Sequence, residues 1–188
     1  MRWIEQPGRL PLLPLAAIAE RAPWLAAWLA NLPPEAGLLV GVETAAREVA
    51  LAHLGRREDE RGGLLLGEVY AERGDPAACR ILRVTQAVPA EDFASTGVSL
   101  RMATGVWETA RARLGDDELV AGWFHSHPGL GAFFSAVDRR TQRAFFVQPY
   151  SVGWVVDPLR QESAWFVGPG SEPPARVAWN GIPASAGP

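Results

Sequence analysis

Residues 124–138 read FHSHPGLGAFFSAVD, in which one residue separates His125 from His127, seven residues separate His127 from Ser135, and Asp138 comes three positions after the serine. The apolar run Leu119–Phe124 leads straight into the histidines and predicts that they sit at or near a strand end. Side chains two apart on a strand share a side, so both imidazoles converge while Ser126 turns away. Pro128-Gly129-Leu130-Gly131 interrupts that strand, and a helix entered at Ser135 puts Asp138 in its first turn. Ser-x-x-Asp at a helix start also resembles a capping box, in which Ser135 bonds a backbone N–H and the acid reaches back. Taken alone, that reading accounts for Ser135 and Asp138, and a lone His-x-His is weak. Taken jointly, two convergent imidazoles and a carboxylate form a three-ligand set of the kind that holds catalytic zinc with a fourth position left for water.

The elements that must position these residues alternate between helix-like and strand-like patterns. Pro11, Pro14 and the pair Pro33–Pro34 bracket a helix expected over 16–32, with Ile18, Leu25, Trp28, Leu29 and Leu32 near one face. That face packs on its own domain or on a partner. From Gly37 the pattern predicts a strand at 38–42 and a helix over 43–54 ended by Gly55. After a charged turn at 56–61, strands are expected at 63–70 and 80–88. The segment 89–97 reads as a loop and 99–114 as a helix. Strands at 119–125 and 151–157 flank a helix at 136–147, and a further strand covers 163–167. The Gly/Pro/Ser-rich tail after Gly168 carries one more candidate strand at 176–179. The sum is a mixed α/β domain of roughly 140 residues.

Composition bounds the partners. A hydrophobic content of 48% supports a packed core, and a net charge of −3 gives no footprint for nucleic acid. The one cysteine, Cys79, excludes an internal disulfide framework and fits a reducing, cytoplasmic setting. The apolar stretch 10–32 is broken by Pro11, Pro14, Glu20, Arg21 and Pro23, which predicts neither a membrane span nor a signal peptide. All 18 basic residues are arginine. Codon bias accounts for this, as does avoidance of lysine modification by neighbouring enzymes.

The run His125-Ser126-His127-Pro128-Gly129, followed by Ser135-x-x-Asp138, resembles the JAMM (MPN+) metalloprotease motif. The longer stretch Gly122–Gly131, with Thr141-Gln142 and Val155-Val156-Asp157-Pro158, is similar to the deubiquitinating subunits of the proteasome lid and the COP9 signalosome. That family also carries a glutamate at the start of an upstream strand. Here it matches Glu60, ahead of Arg61-Gly62-Gly63-Leu64-Leu65-Leu66-Gly67, with Glu58 and Asp59 as solvated neighbours. The resemblance covers about residues 37–168. Relatives often have Gly-Cys-aromatic before the serine where this chain has Gly131-Ala132-Phe133, a difference that touches loop packing and no ligand. His53 matches nothing in the motif.

The resemblance implies an α/β fold of the MPN-domain type, a mixed curved β-sheet sandwiched by helices and cytidine-deaminase-like. It implies residues 36–168 as the catalytic domain, with 1–35 as an N-terminal helical appendage and 169–188 as a C-terminal tail. It also implies one Zn2+ per chain on His125, His127 and Asp138, with Glu60 moving protons and Ser135 donating to the oxyanion. The expected activity is a zinc-dependent isopeptidase that hydrolyses the amide or isopeptide bond at the C-terminus of ubiquitin or a ubiquitin-like protein. The expected setting is a bacterial conjugation or antiviral-defence pathway with E1-like and E2-like proteins as further partners. An extended substrate tail would add beside the sheet, lined by the loops 86–98 and 128–134. The alternatives are a non-catalytic MPN scaffold, whose members typically lack a ligand or the glutamate, and a sulfur-carrier-protein processing hydrolase. A zinc deaminase is set aside because the His-x-Glu…Pro-Cys-x-x-Cys signature is absent.

Overall fold

The computed structural model describes residues 10–91, 93–96, 99–102 and 104–181. In chain order the elements are β1 (Leu12–Pro14), α1 (Ile18–Arg21), α2 (Pro23–Leu29), β2 (Leu39–Val42), α3 (Thr44–Leu54), β3 (Gly62–Ala71) and β4 (Cys79–Pro89). There follow β5 (Phe93–Thr96), β6 (Ser99–Met102), α4 (Thr104–Arg113), β7 (Leu119–Ser126), α5 (Ala136–Phe145), β8 (Val152–Asp157), β9 (Glu162–Val167) and β10 (Arg176–Trp179). The main sheet runs β10-β2-β4-β3-β7-β8-β9, mixed in direction, and β5 and β6 form a separate hairpin.

β3 is the spine, and all ten of its residues are buried. β7 pairs antiparallel with its first part, Gly62 to Gly67, and β1 runs parallel to its end, Val69 to Ala71. Period-2 alternation along β3 separates two faces. Leu65 and Val69 pack with Ala46, Ala50 and Leu54 of α3, while Leu64 and Leu66 meet Val106 and Ala110 of α4 and Phe146 after α5. Helices therefore cover both faces of the sheet. The apolar groups that remain near the β1 end, Tyr70, Ile81, Leu39 and Ala178, are covered by Ile18, Leu25 and Trp28. The face of residues 16–32 thus packs on the chain's own sheet, where Leu25 lies directly over Gly41 and leaves no room there for a Cβ.

A buried ion cluster fixes the same segment. The Glu68 carboxylate accepts from Tyr70 Oη, from Arg21 Nη2 at 2.6 Å and from Arg83 Nη1 at 3.1 Å, and Arg83 Nε also donates to Glu43 at 2.6 Å. Burial alone would raise the Glu68 pKa, but these donors outweigh it and hold the carboxyl below its usual range.

Three expectations need correction, and one strand stands where none was expected. The single helix over 16–32 is two helices, because Pro23 has no N–H to bond and takes the first position of α2. The short strand β1 precedes them, which the sequence pattern did not announce. The segment 99–102 is strand β6 rather than the start of a helix, paired with β5 inside what was expected to be loop, so α4 begins at Thr104. The candidate groove loop 86–98 is for the same reason mostly strand: its first residues finish β4 and 93–96 form β5, while Asp92, Gly97 and Val98 lie outside the described residues. The last strand, Arg176–Trp179, stands where expected. Among the described residues no helix is long and apolar enough to cross a membrane.

Candidate metal centre

The C-terminal end of β7 brings both histidines to one place. His125 is the last residue of β7 paired to β3, opposite Gly62, and His127 lies one step past the strand, its N–H bonded to Val156 O at 2.9 Å. The residue between them faces elsewhere: Ser126 Oγ accepts from Arg61 N at 3.0 Å. The His125 ring stacks on Trp123 with centroids 4.4 Å apart and planes within 4°. That indole is itself held, because Trp123 Nε1 donates to Gln142 Oε1 at 2.7 Å and Gln142 Nε2 donates to the Ser151 and Gly168 carbonyls. One wall of the site is thus tied to the backbone just before β8 and just after β9.

Asp138 enters from the first turn of α5. The capping box is complete, with Ser135 Oγ accepting from Asp138 N at 3.2 Å and Asp138 Oδ2 accepting from Ser135 N at 2.7 Å. The same carboxylate faces both imidazoles, with Oδ1 3.3 Å from His125 Nε2 and Oδ2 3.4 Å from His127 Nε2. Capping and metal-ligand geometry therefore coexist: the cap orients the carboxylate that closes the triangle.

The fit to zinc can be tested on distances. The two Nε2 atoms are 3.1 Å apart, each lies 3.3–3.4 Å from a different oxygen of Asp138, and one ligand atom from each residue falls within 4.8 Å of the others. Donors bound tetrahedrally at about 2.0–2.1 Å would stand about 3.3 Å from one another. His125, His127 and Asp138 are buried and are the group among the described residues whose ligand atoms converge as a metal site requires. The electrostatics of His125 and Asp138 agree with that use. Burial pushes the His125 pKa down against the pull of Asp138, which favours the neutral ring that a metal needs. Burial opposes charge on His127 as well, yet its contact with Asp138 prevails and raises it. Asp138 is desolvated, but hydrogen bonding with both rings keeps it ionised well below the usual carboxylate range.

Glu60 stands at the mouth of this site. It is half-buried, two residues before Gly62, the cross-strand partner of His125, and Arg61 is pinned to Ser126 by hydrogen bonds in both directions. Its charge acts on both histidines and raises their proton affinity. Glu58 and Asp59 are exposed, and Asp59 pairs with Arg61 at 3.0 Å. His53 is not among the converging ligands; its Nε2 bonds to Gly62 O at 3.1 Å. Ser135 uses its Oγ as an acceptor in the cap, and a side-chain hydrogen bond from Ser135 also favours the ionised Asp138.

One residue close to the centre had no role in the sequence reading. Asp157, fully buried at the end of β8, accepts four backbone N–H groups: Gly129 at 3.0 Å, Gly131 at 2.7 Å, Leu159 at 3.0 Å and Arg160 at 3.1 Å. Its signal in the sequence is an acid before a proline at a strand end, where a side chain bonds its own backbone two residues on. Its reach across to residues 129 and 131 is tertiary and leaves no local mark.

The description "Prokaryotic homologs of the JAB domain" matches residues 35–168, most of the chain. The chain belongs to this JAB-domain family. Among curated proteins, this JAB-domain chain is 39% identical over 103 residues to the 26S proteasome non-ATPase regulatory subunit 14 of Dictyostelium discoideum, covering 52% of this chain and 31% of that one. It is also 39% identical over 70 residues to the ubiquitin carboxyl-terminal hydrolase RPN11 of Saccharomyces cerevisiae, covering 35% of this chain and 23% of that one. The chain thus spans about a third or less of the length of these curated relatives. Among solved structures, a protein from Desulfitobacterium hafniense shares the fold at a TM-score of 0.57 and 20% identity, over 77% of this chain and 94% of that one.

Proposed function

We propose that this JAB-domain protein is a zinc-dependent hydrolase that cleaves the amide or isopeptide bond at the C-terminus of ubiquitin or a ubiquitin-like protein. The observation that carries the reading is the buried convergence of His125, His127 and Asp138, the two Nε2 atoms 3.1 Å apart and the carboxylate within 3.3–3.4 Å of both, flanked by Glu60 and Ser135. A zinc ion held by these three side chains would supply Lewis acidity and lower the pKa of water toward neutrality. Glu60 accepts the proton of the attacking water and returns it to the leaving amine. The Ser135 hydroxyl donates to the oxygen on which negative charge develops, a contact whose loss costs about 10²–10³ in rate. Asp138 and Trp123 orient the two imidazoles. Cys79 takes no part.

The relatives named as a proteasome regulatory subunit and a ubiquitin carboxyl-terminal hydrolase support a substrate of the ubiquitin type. The arginine-only composition favours a bacterial protein and the single cysteine a cytoplasmic one; it would act on a ubiquitin-like modifier, with E1-like and E2-like proteins of the same pathway as partners. An extended substrate tail would pair as an added strand near the β5–β6 hairpin and the loop 128–134. The test separates enzyme from scaffold. Glu60→Gln should keep one zinc per chain and keep binding a ubiquitin-like fusion, while turnover falls by about 10²–10⁴. Glu58→Gln should change nothing, and His127→Ala or Asp138→Ala should lose the metal. Binding of ubiquitin-like fusions without cleavage by the wild type would replace this reading with the scaffold one.

A further inference from the structure

The loop from Pro128 to Phe134 joins one ligand, His127, to the helix that carries another, Asp138. Its composition, Pro-Gly-Leu-Gly-Ala-Phe-Phe, includes two glycines at positive φ, 75° at Gly129 and 96° at Gly131. A loop of this kind has many conformations to lose, and its own residues supply few bonds to hold it. The end of β8 supplies them instead. Val156 O takes the His127 N–H, and the two oxygens of Asp157 take Gly129 N and Gly131 N, so three bonds in sequence tie residues 127–131 to one strand end. Asp157 Oδ1 also takes Leu159 N and Arg160 N, which anchors the carboxylate in its own turn.

We infer that Asp157 is a positioning residue, a clamp that fixes the loop between His127 and Asp138 in its metal-ready shape before any metal arrives. The inference rests on the metal-centre reading of the proposed function. It assigns Asp157 no contact with metal or substrate and no proton to transfer. Burial would raise the Asp157 pKa, but the four N–H donors bring it down to about 2, so the carboxylate remains an acceptor at any pH at which the protein would be assayed. Both oxygens are needed. Oδ1 serves Gly129, Leu159 and Arg160, and Oδ2 serves Gly131. In Asp157→Asn the amide oxygen keeps the three-donor side, and the NH2 group then faces the Gly131 N–H, donor against donor.

Two readouts on the full chain test this, neither of them turnover. The first is zinc affinity by competition with a chromogenic chelator. Asp157→Asn should still bind one zinc per chain but about 10–100-fold more weakly, the usual loss when support behind a ligand is removed. His127→Ala should not bind, and Leu25→Ala, destabilised far from the loop, should bind as the wild type does. The second is amide hydrogen exchange of the zinc-free protein. In Asp157→Asn, exchange at Gly131 should rise about tenfold or more, ahead of Gly129, while amides inside β7 stay protected. Unchanged zinc affinity, or a loss matched by Leu25→Ala, overturns the clamp. If the wild type binds no zinc, the metal-centre reading fails, and exchange then decides alone: equal protection of Gly131 in wild type and Asp157→Asn overturns the clamp as well.

Discussion

Gly153→Ala offers a measure of how tightly packing behind the centre controls it. Gly153 lies in β8 at an ordinary negative-φ position, so alanine strains no backbone there and any effect is steric. A Cβ at residue 153 would stand 2.2 Å from Phe134 Cζ and 3.1 Å from Trp123 Nε1. The first distance is roughly 1.2 Å short of ordinary carbon contact. Phe134 has little space to yield, because it is 5% exposed and stacked on Phe166 with centroids 4.0 Å apart. Overpacking of this sort costs about 1–3 kcal/mol. Phe134→Ala alone should cost about 3–5 kcal/mol. In the double variant the new methyl enters the room the ring has left, so the total should fall short of the sum by about 1–2 kcal/mol. Urea unfolding of the four proteins in chelator measures this without reference to any activity. Additivity within about 0.5 kcal/mol would refute the packing argument. Phe134 directly precedes Ser135, and a displacement near 1 Å can cost about 10² in rate. Turnover of Gly153→Ala should therefore fall while its zinc content stays at one per chain.

Other outcomes follow from the same geometry. Leu25→Ala should lose about 3–5 kcal/mol in urea unfolding, since Leu25 is fully buried over Gly41; a loss below about 1 kcal/mol would mean α2 does not pack as described. Glu68 has a depressed native pKa, so its contribution is full above its unfolded value of about 4.3 and is lost as pH falls below it. Melting temperature against pH should show that acid limb in the wild type and a flatter one in Glu68→Gln, which should also be less stable at neutral pH by about 3 kcal/mol for leaving Arg21 and Arg83 without their shared acceptor. Zinc at about 100 times its Kd should stabilise the wild type by about 2.7 kcal/mol, seen as a raised Tm, and should not stabilise His127→Ala. Burial pushes the Cys79 thiol up to about 12, with Asp75 adding to it, so the folded protein should react with a thiol reagent at pH 8 far more slowly than the urea-unfolded chain.

What could be read in the sequence was whatever depends on local periodicity and spacing. The histidines two apart on an apolar strand, the capped helix start at Ser135 and the Gly55 stop of α3 are all local, and the structure has them. Glu60 was distinguishable from Glu58 and Asp59 only through family resemblance, because three acids in one charged turn look alike until the fold brings the charge of one of them to act on the histidines. The span 99–102 misled because a few apolar residues at helical spacing do not exclude a strand, and what decides between them is its pairing with the separate segment 93–96. β1 is three residues long, too short for any pattern, and exists because the end of β3 extends past β7 and offers a free edge. Pro23 was visible, but the apolar stripe runs through it: both helices face the same core, so periodicity survives the break.

The pairing of β10 with β2 has a consequence for the chain as it is made. Leu39 of β2 meets Arg176 of β10, a partner 137 positions further on. At about 5–20 residues per second, a ribosome needs roughly 7 to 27 s to supply that partner after β2 has been synthesised. For that time one backbone edge of an entirely buried strand, Leu39-Val40-Gly41-Val42, has no strand beside it. An apolar edge left open pairs with whatever extended chain it meets, including a second nascent copy. Synthesis that stalls or stops before residue 176 should therefore yield not a shorter soluble domain but a sticky one, and β10 acts as the strand that ends this exposure.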